Sequence, residues 1–157
     1  YKRQENYQPS KSKQLRIGFD ADAVIFSDES EITFKKKGLK TYLKEEGRSK
    51  EPIAPGPFNG FLKKLNIIQS KYSADTCPIR IALVTARAAP AHKRVINTLR
   101  KENIRIDETF FLGGLSKGKF LKGFSADIFF DDLTENCIEA TSHVSTGHVP
   151  YGINNPK

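Results

Sequence analysis

One stretch near the amino end, FDADAVIFSDESE at 19–31, constrains this chain more than any other. An apolar run at 15–19 ends in two aspartates, Asp20 and Asp22, and a second apolar run follows at 23–26. A buried carboxylate is costly unless it is paired, hydrogen-bonded or bound to a metal ion. We therefore expect an acidic pair between two β-forming segments, with Asp20 as a nucleophile, Asp22 as its acid/base partner and Mg²⁺ beside them.

Segments of alternating strand and helix character run from this stretch to the end of the chain. The patterns predict strands at 15–19, 79–84, 126–130, the end of 104–112 and part of 146–151. They predict helices at 58–72, 91–102, 117–124 and after Thr134, which is expected to cap the last helix. Short buried strands joined by helical crossovers are typical of an α/β fold with a parallel sheet.

Polar residues follow the predicted strands at their carboxyl ends, where open α/β sheets bind ligands. In chain order they are Asp20 and Asp22, then Thr85, Ala86 and Arg87, then Lys117, and finally Asp131 and Asp132. Each group alone has a plain structural alternative, since a threonine can cap a helix, a lysine can be solvated and two aspartates can form a turn. Their occurrence together, in order, favours a functional site.

These residue types suit the transfer of a phosphoryl group to water. A carboxylate can attack phosphorus and split one difficult step into two, and Mg²⁺ prefers oxygen ligands such as those of Asp20, Asp131 and Asp132. Lys117, the Thr85 hydroxyl and nearby backbone N–H groups would hold the phosphate oxygens. For Arg87 two interpretations stay open, namely contact with ribose or phosphate, and a surface ion pair.

This order of motifs resembles that of the haloacid dehalogenase-like phosphatases. More narrowly, five segments resemble the cytosolic 5′-nucleotidase type I family: FDADAVIFSDESE, VTARAAPAHKRVINTLR at 84–100, FFLGGLSKGKFL at 110–121, DIFFDD at 127–132 and GHVPYGI at 147–153. The resemblance implies a three-layer sandwich with a Rossmann-like parallel sheet and a small cap inserted after the first strand. It also implies Mg²⁺-dependent hydrolysis of nucleoside 5′-monophosphates, AMP prominently.

The resemblance assigns roles to individual positions. It makes Asp20 the nucleophile and Asp22 the acid/base, with Thr85 and Lys117 as holders of the phosphate. It makes Asp131 and Asp132 the acidic metal motif, and it implies that Asp22 binds the metal through its backbone carbonyl.

The expected cap spans 27–57 and contains the candidates for substrate choice. Phe34 and Tyr42 can stack on a base or form the cap's own small core. Ser27, Asp28, Glu29 and Ser30 can hydrogen-bond to ribose or base, although Ser27 or Ser30 can instead cap the next helix. A short amphipathic helix is expected here, bracketed by Gly38 and Gly47.

The predicted organisation is a tail or linker at 1–14, a catalytic core at 15–153 and a loop at 154–157. The chain begins at Tyr1 and contains no methionine, and members of the family carry a long region ahead of this stretch. We therefore expect an upstream region of the same protein as a partner, and a homo-oligomer stays open. Cys77 and Cys137 have no metal-ligand spacing, which favours free thiols in a reducing compartment, the cytoplasm.

Composition argues against two other classes of partner. The net charge is +8, but the basic residues are scattered and carry no RNA-binding signature, so we expect no nucleic acid. No apolar run approaches the roughly 20 residues that span a bilayer, so we expect no membrane. The leading hypothesis is a Mg²⁺-dependent 5′-nucleotidase; the alternatives are a phosphatase of the same superfamily for another small phosphate ester, and a non-catalytic nucleotide-binding fragment of a larger nucleotidase.

Overall fold

The structure, a computed structural model, describes residues 12–155, so most of the predicted tail at 1–14 and the last two residues lie outside the described part. The strands are β1 Leu15–Phe19, β2 Ile79–Thr85, β3 Glu108–Phe111, β4 Ile128–Asp131 and β5 Ser145–His148. All five are parallel and form one sheet in the order β3-β2-β1-β4-β5. The helices are α1 Glu29–Arg48, α2 Asn59–Gln69, α3 His92–Lys101, α4 Gly118–Phe124 and α5 Thr134–Ala140.

Helices cover both faces of the sheet. On one face, Leu62 of α2 and Val95 of α3 pack with Phe19 and Ile81 in one apolar cluster. On the other face, Leu121 of α4 belongs to a second cluster with the β2, β4 and α5 residues Val84, Phe129 and Ala140. The three layers confirm the predicted α/β sandwich. Among the described residues, none of the helices combines the length and the apolar character that a membrane crossing requires.

A tight turn follows β1 in place of the second β-forming segment predicted at 23–26. Residues Ala21–Ile25 form one wide helical turn, closed by a hydrogen bond from the Phe26 N–H to the Ala21 carbonyl at 2.8 Å. Ala23 has a φ of 57°, in the left-handed region that a β-strand does not use. The prediction of a strand here was wrong, because Phe26 makes a single antiparallel bridge, to Pro55, and joins no ladder.

The segment α1 is a helical hairpin, not the short helix predicted between Gly38 and Gly47. Gly38 lies in its middle, with φ 75° and ψ 170°, and breaks it into two halves. The Phe34 ring packs edge-on against Tyr42, 5.8 Å away. In a continuous helix, residues eight apart would be separated by about 12 Å along the axis. The two halves therefore fold back on each other, and we refer to residues 29–48 as the helical hairpin.

Smaller differences concern the ends of elements. The last helix begins at Thr134 itself, so Leu133 and not Thr134 occupies the capping position. No side chain in the described part of the chain caps this helix, and the Asp131 carboxylate accepts the N–H of Leu133 itself at 2.9 Å, which holds the turn between β4 and α5. The fourth strand ends at Asp131, one residue later than predicted, which brings that carboxylate into the edge of the sheet. Cys77 and Cys137 are both buried and free.

Candidate functional site

Three of the predicted site residues form a buried ionic cluster at the carboxyl edge of the sheet. Lys117 Nζ lies 2.7 Å from a carboxylate oxygen of Asp20 and 2.6 Å from one of Asp131. Asp20 directly follows β1 and Asp131 ends the neighbouring strand β4, so the pairing of Phe19 with Phe130 brings the two carboxylates to the same edge. Lys117 occupies the position just before α4. All three side chains are buried, so each depends on the others for its charge.

Asp132 completes an acidic trio with Asp20 and Asp131. One carboxylate oxygen from each lies within 4.8 Å of the others, a separation that one cation can bridge. Both carboxylate oxygens of Asp132 are buried and accept no hydrogen bond of ordinary geometry from the described residues. Three carboxylates thus face the single ammonium group of Lys117. This excess of negative charge, with two orphaned oxygens, fits a divalent cation.

The pKa values of the cluster reflect the same imbalance. Burial raises the pKa of Asp20 well above its ordinary value, and Asp131 adds to this effect while Lys117 opposes it. Burial and the neighbouring Asp131 raise the pKa of Asp132 to about 6, while Lys117 and the nearby Asn154 side chain offset part of the shift. Burial opposes the charge of Lys117, but Asp20 and Asp131 raise its pKa above the ordinary value. A bound cation would favour the ionised form of both aspartates.

Thr85 ends β2 at the same edge and is almost fully buried. The pairing of Phe19 with Leu83 sets the ends of β1 and β2 side by side. The Thr85 hydroxyl accepts the Arg87 N–H at 3.2 Å, which holds it in the turn that follows the strand. The structure therefore brings Thr85 to the edge that also holds Asp20, Lys117 and Asp131.

Asp22 and Arg87 form a buried ion pair beside the cluster. Two Arg87 nitrogens lie 2.8 and 2.6 Å from the two carboxylate oxygens of Asp22. Their side chains are only 2% and 12% exposed, for Arg87 and Asp22 respectively. The surface ion pair that the sequence left open for Arg87 is therefore wrong, since the pair is internal. The role of Arg87 in binding ligand stays a prediction, because its guanidinium is engaged with protein groups.

A cavity of about 460 Å³ lies between the helical hairpin and two loops at the carboxyl edge. Its walls include the predicted residues Asp22, Phe34, Ala86 and Arg87. They also include residues for which the sequence analysis assigned no part in ligand binding, among them Glu31, Leu39, Leu43, Gly113 and Gly114. Phe34 is 48% exposed and Leu39 58%, so both present apolar surface that a ligand can cover.

Four of the predicted substrate-binding residues do not line this cavity: Thr85 and Lys117, described above, and Ser27 and Asp28. The Ser27 hydroxyl donates to a Glu29 carboxylate oxygen at 3.2 Å. Asp28 accepts the Ile153 N–H at 2.8 Å and so ties the last described segment to the start of the hairpin. In the structure Ser27 and Asp28 organise the base of the hairpin, and their contact with a substrate stays a prediction.

Glu31 is an acidic group that the sequence analysis did not single out. It lines the cavity, and one of its oxygens accepts the Asn154 amide at 2.9 Å. Burial, followed by the negative charges of Asp132 and Asp22, raises its pKa to about 8. Its position in the run SDESE gave no periodic signal, since that run reads equally well as a solvated helix start.

The sheet order, with a carboxylate after the central strand, a buried lysine before α4 and two aspartates at the end of β4, defines a haloacid dehalogenase-like domain. A solved structure supports this fold. The HAD domain of the effector protein Lem4 from Legionella pneumophila has a TM-score of 0.51 at 14% identity, over 89% of this chain and 88% of that domain.

The chain belongs to the 5′-nucleotidase family, because the sequence model of that family matches residues 1–156. A human protein named cytosolic 5′-nucleotidase 1B is 46% identical over 125 residues, which cover 76% of this chain and 20% of the human protein. The chain therefore spans about a fifth of the length of that relative.

Proposed function

We propose that this chain is the catalytic domain of a Mg²⁺-dependent 5′-nucleotidase, which hydrolyses nucleoside 5′-monophosphates to nucleoside and phosphate. One observation carries the proposal: a buried cluster of three carboxylates and a lysine lies next to an apolar-walled cavity at the carboxyl edge of the sheet. Membership of the 5′-nucleotidase family supports the same activity. The name of the human relative supports a cytosolic location.

The first chemical step transfers the phosphoryl group to Asp20. A carboxylate oxygen of Asp20 attacks the phosphorus, and the bond between phosphorus and the 5′ oxygen breaks. Asp22, protonated for this step on one oxygen that gives up its Arg87 contact, passes the proton to the 5′ oxygen, so the nucleoside leaves as a neutral alcohol. Asp22 lies two residues beyond Asp20, and the turn at Ala21–Ile25 keeps both carboxylates at one edge of the sheet.

The second step returns the enzyme to its starting state. Asp22, now ionised, takes a proton from a water molecule whose oxygen attacks the phosphorus. The bond between phosphorus and Asp20 breaks, which releases phosphate and restores the Asp20 carboxylate. The same residue thus acts first as an acid and then as a base, and no proton is left unaccounted for.

Other residues of the cluster hold the charges of these steps. Lys117 contacts Asp20 and Asp131 directly, and its ammonium can also donate to a phosphate oxygen. The Thr85 hydroxyl and the N–H groups that follow it lie at the same edge for the remaining oxygens. Asp20, Asp131 and Asp132, with the Asp22 backbone carbonyl, would hold Mg²⁺, which supplies positive charge against the repulsion between an anionic nucleophile and an anionic phosphate.

The helical hairpin acts as the cap in this proposal and receives the nucleoside. Its cavity wall is apolar on the side of Phe34, Leu39 and Leu43, which suits the face of a base. Its wall residues Asp22 and Glu31 carry carboxyl groups, which suit hydrogen bonds with the hydroxyl groups of the sugar. AMP is the favoured substrate, as the motif resemblance implies.

The test is a phosphate-release assay with AMP, other nucleoside 5′-monophosphates and sugar phosphates, each with Mg²⁺ and with a chelator. We expect Mg²⁺-dependent release that is faster from nucleotides than from sugar phosphates. Asp75→Asn, in an exposed loop before β2, is the matched control and should keep full activity. Preference for sugar phosphates would instead indicate a phosphatase for another small ester. Saturable AMP binding without phosphate release would indicate a non-catalytic nucleotide-binding domain.

A further inference from the structure

Every N–H donor of the buried Arg87 guanidinium has an acceptor. Nε and Nη2 donate to the two carboxylate oxygens of Asp22 at 2.8 and 2.6 Å. Nη2 also donates to the Ser30 hydroxyl, while Nη1 donates to Glu46 at 2.5 Å and to the Ala91 carbonyl at 3.3 Å. A guanidinium has five such donors in one rigid plane. Its orientation is therefore determined completely by these neighbours.

These neighbours come from both halves of the helical hairpin as well as from the core. Ser30 lies in the first half of the hairpin and Glu46 in the second half. The other oxygen of Glu46 accepts Nη1 of Arg94 at 2.6 Å, and Arg94 also pairs with Glu29 at 2.5 Å. Two arginines thus fasten the base of the hairpin to α3 and to the loop after β2. A displacement of the hairpin would rotate the guanidinium of Arg87.

From this arrangement we infer that Arg87 is a positioning residue, which transmits the position of the helical hairpin to the carboxylate of the acid/base Asp22. The inference rests on the proposed function. Arg87 stays charged at any working pH, so it cannot itself exchange protons with the substrate. Its bidentate contact fixes the plane of the Asp22 carboxylate, and a misplacement of about 1 Å in a reacting group can cost on the order of 100-fold in rate.

Two substrates separate this role from a purely structural one. AMP has a poor leaving group that needs a proton from Asp22, whereas the p-nitrophenolate of p-nitrophenyl phosphate leaves without one. Both substrates then share the second step, in which Asp22 must act as a base. A misplaced Asp22 therefore slows both steps with AMP but only the second step with p-nitrophenyl phosphate.

We expect Arg87→Gln to lower kcat for AMP by about 100-fold while KM changes by less than about threefold. With p-nitrophenyl phosphate, the same variant should release one p-nitrophenolate per enzyme in a rapid burst, followed by slow turnover. Arg87→Lys should recover only a small part of the loss, because an ammonium cannot make the bidentate contact. Glu46→Gln should show the same pattern with a smaller loss, although Glu46 does not contact Asp22.

The matched control is Arg80→Gln, on the same strand-and-loop segment but at the amino end of β2, where Arg80 pairs with Glu108 at the surface. This variant should behave like the wild type with both substrates. The inference would be overturned by equal slowing of both substrates without a burst, by a loss seen in KM alone, or by full recovery in Arg87→Lys. Wild-type protein that releases no phosphate from either substrate would contradict the proposed function and not the coupling itself.

A second measurement tests the coupling without any reaction. Coupling between two sites is reciprocal, so loss of the Asp22 charge should loosen the hairpin as loss of Arg87 does. We expect Asp22→Asn and Arg87→Gln each to speed amide hydrogen exchange of residues 29–48 by about tenfold, while exchange in α4 and α5 stays at the wild-type rate. Unchanged exchange of 29–48 in Asp22→Asn would contradict the inference, and faster exchange throughout would indicate general destabilisation and contradict it as well.

Discussion

The strand side and the hairpin side of the candidate site differ in how their charges are balanced. On the strand side, Lys117 faces the three carboxylates of the acidic trio, and both oxygens of Asp132 accept no hydrogen bond of ordinary geometry within residues 12–155. On the hairpin side, two arginines face the carboxylates of Asp22, Glu46 and Glu29, and every donor of Arg87 is used. The strand side therefore has room for an additional cation, whereas the hairpin side is already closed by its own ion pairs.

The strand side and the hairpin side also differ in rigidity and exposure. The acidic residues of the strand side follow the central strands β1 and β4, whose pairing fixes their separation. The hairpin side ends in the exposed segment 34–40 around Gly38, where Phe34 and Leu39 present apolar surface. The separation of the acidic residues depends on strand pairing, whereas the exposed tip of the hairpin is free to vary as long as the base of the hairpin keeps its contacts with Arg87.

The largest expected effect is on the rate of AMP turnover, which should depend far more on the strand side than on the hairpin side. Asp20→Asn removes the proposed nucleophile while it keeps the size of the side chain, so we expect turnover of AMP to fall by on the order of 1,000-fold or more. Steady-state phosphate release at saturating AMP measures this loss. Asp28→Asn, at the base of the hairpin, should stay within about tenfold of wild type. Similar losses of turnover in both variants would contradict this difference between the strand side and the hairpin side.

The next effect concerns metal binding. Asp132→Asn removes a carboxylate whose oxygens are orphaned, so we expect the affinity for Mg²⁺ to fall by about 10 to 100-fold. Calorimetric titration of Mg²⁺ into the protein without nucleotide measures the change. Glu29→Gln removes an acid of the hairpin side and should leave Mg²⁺ affinity unaltered. An equal loss of Mg²⁺ affinity in Glu29→Gln would indicate that the cation binds on the hairpin side and would contradict this prediction.

Metal affinity should also depend on pH with a definite sign. Burial and Asp131 raise the pKa of Asp132 from 3.8 to about 6, so the metal-free fold holds a proton there below pH 6. A metal ion must displace that proton, and also any proton on Asp20, whose pKa is likewise raised by burial, so we expect Mg²⁺ affinity to fall by about tenfold or more per pH unit below about 6. Glu31→Gln should keep the midpoint near pH 6, because burial raises the pKa of Glu31 to about 8 and it is already protonated there.

The smallest expected effect is on KM for AMP and concerns the hairpin side. Phe34→Ala removes apolar surface that a base would cover, so we expect KM for AMP to rise by roughly 5 to 10-fold with kcat nearly constant. Phe61→Ala is a close match, since Phe61 is 42% exposed against 48% for Phe34 but lies on α2 outside the cavity wall. A rise in KM for Phe61→Ala alone would show that the base binds elsewhere.

The strand side could be predicted from the sequence and the hairpin side largely could not. Asp20, Thr85 and Asp131 each end or follow an apolar run, and parallel topology brings such strand ends together without further information. The apolar run at 23–26 was mistaken for a β-forming segment because a short apolar run suits a buried turn as well as a buried strand.

The hairpin depends on contacts between residues far apart in the chain. The hydrogen bond between Arg87 and Glu46 joins residues 41 positions apart. Neither residue belongs to a periodic sequence pattern that would predict this contact. Gly38 reads as a helix boundary in the sequence, although here it reverses the chain within the hairpin. Charged residues in lysine-rich segments are usually solvated, so the burial of Glu46 had no local signal.

The most direct test of the central claim is a search for the phosphoryl group on Asp20 during turnover. The protein is mixed with AMP and Mg²⁺, quenched in acid within the first turnover and digested for mass spectrometry. We predict one added phosphoryl group on the peptide that contains Asp20, and its loss in Asp20→Asn. Release of adenosine and phosphate at full rate by Asp20→Asn, with no phosphorylated peptide in either protein, would contradict the account.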